Sequence, residues 1–279
     1  MKEEKDFHEQ IKQLNNKLTK EYTEHKVFYE LDMYIEYYDL LSFSISSWLT
    51  SGVNDIMNFD NQIITSTQNT LESIKMLLEH GKINDVFSLT RRYHDSVIIN
   101  IYALSYLEEN YSLNNTIVDK INNWVNNKEK LPQYKEMNNY IRNHSSRLKH
   151  INRLLFKSQY YKNMRQRFND HTHYNFFTYM LYNDNKMIDP LNNRIKFLDQ
   201  LSIDIRNIFI KHFVWLFSLK DNYMMASDYI DYLDMGMTSP ENSQYLVSSF
   251  VQEAFDKIIM KYRPDLAVEL KKSTSMELK

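Results

Sequence analysis

The chain has 279 residues, with 34 Lys and Arg against 36 Asp and Glu for a formal net charge of −2, so it has no global bias toward polyanions. It contains no cysteine, three glycines and four prolines, which excludes disulfide frameworks, cysteine nucleophiles and thiolate zinc sites. Glycine-rich phosphate loops and dinucleotide fingerprints are excluded as well, and no cofactor is expected.

Gly and Pro break regular elements, so their scarcity favours long helices over a sheet with many tight turns. Apolar residues recur at helical spacing and hairpin signals are missing. The expected fold is all-α: an antiparallel helical bundle with an N-terminal helical extension (residues 1–54), a central bundle (55–220) and C-terminal helices packed on it as a cap (221–279). The charged N-terminus is unlike a signal peptide. The greasiest run, Ile208 to Leu219, is interrupted by Lys211 and His212 and is too short to span a membrane. A cytoplasmic protein with no membrane partner is expected.

In chain order, residues 3–50 lack Gly and Pro and read as helical throughout. Phe7, Ile11, Leu14, Leu18 and Tyr22 form a thin stripe suited to packing on one partner surface. A helix from Asp55 to His80 follows, with Gly81 as its C-cap. It pairs with a helix from about Asn84 to Asn110. There Arg91, Arg92, His94 and Asp95 precede a strongly apolar run, which suggests a buried arginine paired with a carboxylate. A short helix is expected around Ile117 to Val125, then helices from Tyr134 to Phe156 and from Gln159 to Tyr174. Asp184 to Asn193 reads as a loop and Arg194 to Leu219 as a long core helix. Lys220 to Met235 reads as an acidic-aromatic helix, and Ser239-Pro240-Glu241 as the start of a last helix ending at Arg263-Pro264. The tail from Lys271 is expected to fray.

Between Glu136 and Asp170 there is no acidic residue. The span carries Arg142, Arg147, Lys149, Arg153, Lys157, Lys162, Arg165 and Arg167, and it runs into Asn169, Asp170, His171, His173 and Tyr174. Arginine holds phosphate bidentately and histidine titrates near neutrality, so phosphate-ester chemistry without a metal is the indicated class. Arg167 and His171, four apart, share a helix face with Asp170 and Tyr174 alongside. His171-x-His173 would place two imidazoles on one metal ion only where the helix ends there. The plain alternative is a solvated basic helix whose end is capped by histidines.

Arg167-Phe-Asn-Asp-His-Thr-His173 and Arg165-Gln-Arg-Phe-Asn-Asp-His171 resemble the Arg-x(4–6)-His motif of the HEPN superfamily. The preceding stretch, Ser73 to Asp85 leading to Phe87-Ser-Leu-Thr-Arg-Arg92, also resembles long HEPN-type bundles. That resemblance covers about residues 55–220. It implies a helical bundle that pairs as a homodimer, with arginine and histidine from both subunits lining one cleft. It also implies an endoribonuclease of toxin–antitoxin or anti-phage type, with RNA as partner and a neutralising or regulatory protein beside it. Arg167 would clamp the phosphate and His173 would act as general acid/base, with Asn169 and Asp170 beside them and Arg165 and His171 auxiliary. Arg142, Arg147, Lys149, Arg153, Lys162 and Tyr174 would bind substrate. The alternative is a non-catalytic helical module that binds a partner protein or nucleotide.

Overall fold

In the computed structural model, residues 18–47, 59–112, 117–143, 145–183 and 191–279 are described. The protein is all-α, 77% helix, with no strand among these residues; Met225 and Val247 form an isolated antiparallel bridge. The helices are α1 (Lys20–Thr23), α2 (Lys26–Ser47), α3 (Phe59–Glu79), α4 (Ile83–Asn110), α5 (Asp119–Val125), α6 (Tyr134–Asn143) and α7 (Lys149–Leu155). They continue with α8 (Tyr160–Thr172), α9 (Phe177–Leu181), α10 (Leu191–Leu219), α11 (Ser227–Asp234), α12 (Ser249–Ala254, prolonged by a π-helical turn, Phe255–Met260) and α13 (Pro264–Ser273).

Two compact units share these helices. The first comprises Met1–Ile35, Asn69–Tyr93 and Tyr160–Asn207; the second comprises Glu36–Gln68, His94–Gln159 and Ile208–Lys279.

In the first unit, α3 ends in a Schellman motif. Lys82 N–H donates to the Leu77 carbonyl at 2.9 Å and Gly81 N–H to that of Leu78 at 2.8 Å, which satisfies two carbonyls the helix leaves over. Gly81 sits at φ +68°, the left-handed region that a side chain resists. The Arg194 guanidinium donates to its carbonyl at 3.2 Å, and Arg194 is itself buried. Tyr22 anchors α1 by donating its hydroxyl to the Leu78 carbonyl at 2.8 Å.

The second unit packs the apolar half of α10, including Phe209, Phe213, Val214, Trp215 and Phe217, as its core. Several polar groups inside that core are matched to one another. His212 lies between the Tyr38 hydroxyl (2.8 Å) and the Asn100 side-chain oxygen (3.0 Å). Trp215 Nε1 donates to Asn152 Oδ1 at 2.8 Å. Lys211 Nζ lies 3.2 Å from His94 Nε2 and 4.4 Å from the Trp215 ring centre.

Several expected elements are divided by such long-range bonds. The expected helix Tyr134–Phe156 is two helices, α6 and α7: the Asn152 side-chain amide donates to the Ile141 carbonyl at 2.9 Å and takes the place of the helical N–H there. The expected helix Lys220–Met235 is a 3₁₀ turn, Asp221–Met224, followed by α11. Ala226 N–H donates to the Leu246 carbonyl (2.9 Å) and Ser248 N–H to that of Met224 (2.8 Å), so residues 224–226 pair sideways.

Ser239-Pro240-Glu241 does not start a helix. Ser243 closes a turn onto the Pro240 carbonyl through both its N–H (3.1 Å) and its hydroxyl (2.7 Å). Asn242 is left-handed at φ +63°, and the last long helix begins at Ser249. Pro264 opens α13 as its first residue, where its missing N–H costs nothing. The C-terminal tail does not fray. Asp221 accepts from the Ser275 N–H (3.1 Å), the Ser275 hydroxyl (2.9 Å) and the Thr274 hydroxyl (3.3 Å), while Met276 and Leu278 are buried. The continuous helix expected over residues 3–50 is interrupted between Thr23 and Lys26; Phe7, Ile11, Leu14 and the loop at 184–190 lie outside the described residues.

A Cβ at residue 81 would lie 3.2 Å from Arg194 Nη1, in a backbone conformation unfavourable to any side chain. Gly81→Ala therefore lowers the unfolding free energy by about 1–2 kcal/mol, read as a shifted denaturation midpoint with unchanged slope.

Candidate functional site

The histidines of the basic segment sit at the C-terminal end of α8. That end is a second Schellman motif. Asn175 N–H donates to the Asp170 carbonyl at 3.0 Å and Tyr174 N–H to that of His171 at 3.4 Å. The left-handed position is filled by Tyr174 at φ +49° where glycine is usual. Two apart along the chain at this helix end, the histidines face different surroundings, the inside for His171 and the solvent for His173.

His171 is fully buried. Its ring is sandwiched between Phe87 and Tyr179, each 3.9 Å away between centroids and within 15° of parallel. Asn84 holds it at both ends: its amide nitrogen donates to the His171 carbonyl at 3.3 Å and its oxygen faces Nδ1 at 2.9 Å. That orientation makes Nδ1 the donor, so the neutral ring keeps its lone pair on Nε2, which is buried with no hydrogen-bond partner among the described residues. Burial, helped by the Arg167 charge and opposed by Asp170, lowers the His171 pKa to about 4. His171 is thus a neutral core residue at pH 7.

Arg167 is engaged elsewhere. Its Nε and Nη2 donate to the two Asp204 carboxylate oxygens at 3.1 and 2.7 Å, a bidentate pair. Asp204 is 0% exposed and also accepts from the Tyr160 hydroxyl (2.6 Å) and Gln200 (3.0 Å). Burial pushes the Asp204 carboxyl up from its ordinary range, and Arg167, Tyr160 and Gln200 pull it back. Burial and the Asp204 charge raise the Tyr160 hydroxyl in turn.

His173 is exposed, and its Nε2 lies 3.3 Å from Arg91 Nη1. Arginine can only donate, so Nε2 accepts and Nδ1 carries the ring proton. The arginine brought to His173 is therefore Arg91, from α4, while Arg167 is held on Asp204. Of the two arginines, one of which is expected to face the interior, Arg91 is half-buried beside His173 and Arg92 is exposed; the buried His94 meets Lys211.

The other expected site residues are dispersed. Asp170 accepts from Gln166 (2.8 Å) and Asn175 (2.7 Å), which closes the helix end. Asn169 contributes its carbonyl to His173 N–H at 3.0 Å, and its side-chain oxygen is buried without a partner among the described residues. Lys162 is exposed and Arg165 half-exposed, both in the first unit with Tyr174. Arg142, Arg147, Lys149 and Arg153 belong to the second unit. There Arg142 stacks on Phe156 at 4.3 Å, and Arg147 binds Glu108 at 2.8 Å and the Leu219 carbonyl at 3.1 Å. Lys149 and Arg153 are exposed on α7. Although α8 does end between His171 and His173, their ring nitrogens face Asn84 and Arg91, and no group of three or more metal-ligating side chains occurs among the described residues.

Asn84, Asp204 and Tyr179 carried no sequence signal. In the sequence Arg91 stands out only as a residue entering an apolar segment. No helix among the described residues is long and apolar enough to cross a membrane. No family model, no curated protein and no solved structure matches the chain.

Because His171 is lowered to about 4 in the folded protein against about 6.5 unfolded, the unfolded state takes up a proton first as pH falls. Its contribution to stability is complete above about pH 6.5, declines below it and is lost by about pH 4, amounting to about 3 kcal/mol. Denaturant titrations of the wild type and His171→Phe between pH 7 and 4 check this. The wild-type curve falls more steeply by that amount, since other titrating groups are common to both proteins.

Proposed function

We propose that the protein is a metal-independent endoribonuclease in which His173 moves the proton and Arg91 holds the phosphate. The observation that supports this most directly is the 3.3 Å contact between Arg91 Nη1 and the exposed His173 Nε2. It places a permanent cation beside an imidazole whose proton is on the opposite nitrogen. RNA carries its own nucleophile, the ribose 2′-hydroxyl, so cleavage needs a base, a proton donor and a clamp for charge building on phosphorus, and no metal. When a phosphate draws the Arg91 guanidinium away, His173 Nε2 is freed to take the 2′-hydroxyl proton as the 2′-oxygen bonds to phosphorus and the P–O5′ bond breaks. The imidazolium then returns that proton, directly or through water, to the departing 5′-oxygen.

The HEPN resemblance adds a bundle architecture, a homodimer in which a second copy completes the cleft, and a role as a cytoplasmic toxin or anti-phage effector with a neutralising or regulatory protein partner. In this reading Arg167 and His171 serve the fold behind the site, with Asp204 and Asn84 as their anchors. Lys162 and Arg165 remain the first unit's candidates for phosphate contacts along the RNA, and Lys149 and Arg153 the second unit's.

A second reading, a non-catalytic helical module that binds a partner protein or nucleotide, is favoured by two facts. The Arg167 guanidinium is bidentate on Asp204, and His171 is sealed between two rings.

Purified wild type, His173→Ala and Arg91→Ala, incubated with total RNA in the presence of a chelator, separate the two readings. Cleavage by the wild type and a loss of roughly 100-fold or more in each variant, with unchanged melting temperatures, are the expected results. Intact RNA with the wild type, or undiminished cleavage by His173→Ala, rejects the catalytic reading in favour of the binding module.

A further inference from the structure

Independently of any ribonuclease activity, the second unit carries a surface whose charge and apolar content call for a partner. Residues 221–256 contain seven acidic residues (Asp221, Asp228, Asp231, Asp234, Glu241, Glu253 and Asp256) and no Lys, Arg or His. Three of them have local roles. Asp221 ties down the C-terminal tail, Glu253 pairs with Lys257, and Asp256 accepts from Gln252 at 3.0 Å. The other four, Asp228, Asp231, Asp234 and Glu241, are exposed and have no cationic partner among the described residues.

Asp228, Asp231 and Asp234 recur every three residues along α11, so they share one face and repel one another. Asp234 is also the last residue of that helix, where the dipole disfavours a negative charge. Asp228, in the first turn, is favoured by the same dipole, but Asp231 and Asp234 are not, and each repulsion costs a few tenths of a kcal/mol.

The same region exposes large apolar side chains. Met235 is 72% and Met237 54% exposed in the turn that follows α11. The 3₁₀ turn Ser243–Tyr245 packs against α11 and brings the exposed Tyr245 and Leu246 to it. Ala226 N–H donates to the Leu246 carbonyl at 2.9 Å, which fixes that second segment at the base of the helix. Methionine is flexible and polarizable, and exposed methionines fit apolar anchors of varied shape. Acidic side chains beside such anchors exclude nucleic acid and anionic membranes, because both would bring phosphates against unpaired carboxylates.

We propose that this acidic, methionine-bearing surface of α11 and the turns at 235–237 and 243–246 docks a basic amphipathic helix of a partner protein. Lys and Arg on one face of that helix would pair with Asp228, Asp231, Asp234 and Glu241. Apolar residues at i, i+3, i+4 and i+7 would seat on Met235, Met237, Tyr245 and Leu246.

Fluorescence anisotropy tests this with a labelled Leu/Lys peptide patterned as an amphipathic helix and a scrambled peptide of the same composition. Two variants of the full-length chain accompany the wild type: Asp228→Asn/Asp231→Asn/Asp234→Asn and Met235→Ser/Met237→Ser. All five residues are exposed, so both variants keep the wild-type circular dichroism spectrum. The patterned peptide is expected to bind the wild type at least tenfold tighter than the scrambled one, and each variant to lose tenfold or more. Equal binding of the two peptides, or full binding by either variant, overturns the proposal. Sedimentation of the wild type provides a second arm: a dimer that both variants abolish would assign the surface to a second copy of the chain and likewise overturn it.

Discussion

The first unit depends on one buried carboxylate. Asp204 has no exposure to solvent, and a charge in that position is tolerable only if it is paired and fully hydrogen-bonded. Arg167 supplies two bonds, Tyr160 a third and Gln200 a fourth. The three bonds from Arg167 and Tyr160 fix α8 against the stretch of α10 that carries Asp204, while Gln200 braces the carboxylate from within α10. They also commit Arg167, the arginine that the sequence motif would place on a phosphate, to holding the helix that presents His173.

From that anchor the geometry of the helix end follows. With α8 held by Arg167, its last turn is closed by Asp170 and by the left-handed Tyr174, and Asn84 grips His171 by ring and carbonyl together. The Phe87–His171–Tyr179 stack then ties α9 to α4 through an imidazole that is neutral because it is buried. One histidine of the His-x-His pair is used by the core, and the other is left outside beside Arg91. Side chains two apart along a helix point about 200° away from each other, and the end of α8 after Thr172 does not bring these two back together.

Helical architecture was legible from the sequence because two of its causes are local. Apolar side chains recur at helical spacing, and residues that break helices are rare. Gly81 and Pro264 were also readable, since each acts through its own backbone. The breaks at Ser145 and Met225 were not, because they are made by partners far along the chain: the Asn152 amide on the Ile141 carbonyl, and the pairing of residues 224–226 with 246–248. The Ser-Pro-Glu start signal at 239–241 was overruled by a turn on the Pro240 carbonyl. For the site, the sequence located the end of α8 and the exposed His173 just beyond it. It could not choose the arginine, because Asp204 lies 37 residues from Arg167, Arg91 lies 82 from His173 and Asn84 lies 87 from His171. Short motif spacing carries no information about such partners.

A double-mutant cycle on Arg167 and Asp204, read by equilibrium unfolding at pH 7, tests the structural role of Arg167 most directly. Arg167→Met alone leaves a buried carboxylate without its cation and should cost on the order of 3 kcal/mol, as should Asp204→Leu alone. The double variant, with the charge removed from both sides, should recover most of the loss, giving a coupling energy of at least about 2 kcal/mol. Additive losses, or an Arg167→Met protein as stable as the wild type, would contradict the assignment and return Arg167 to the list of residues free to hold a phosphate.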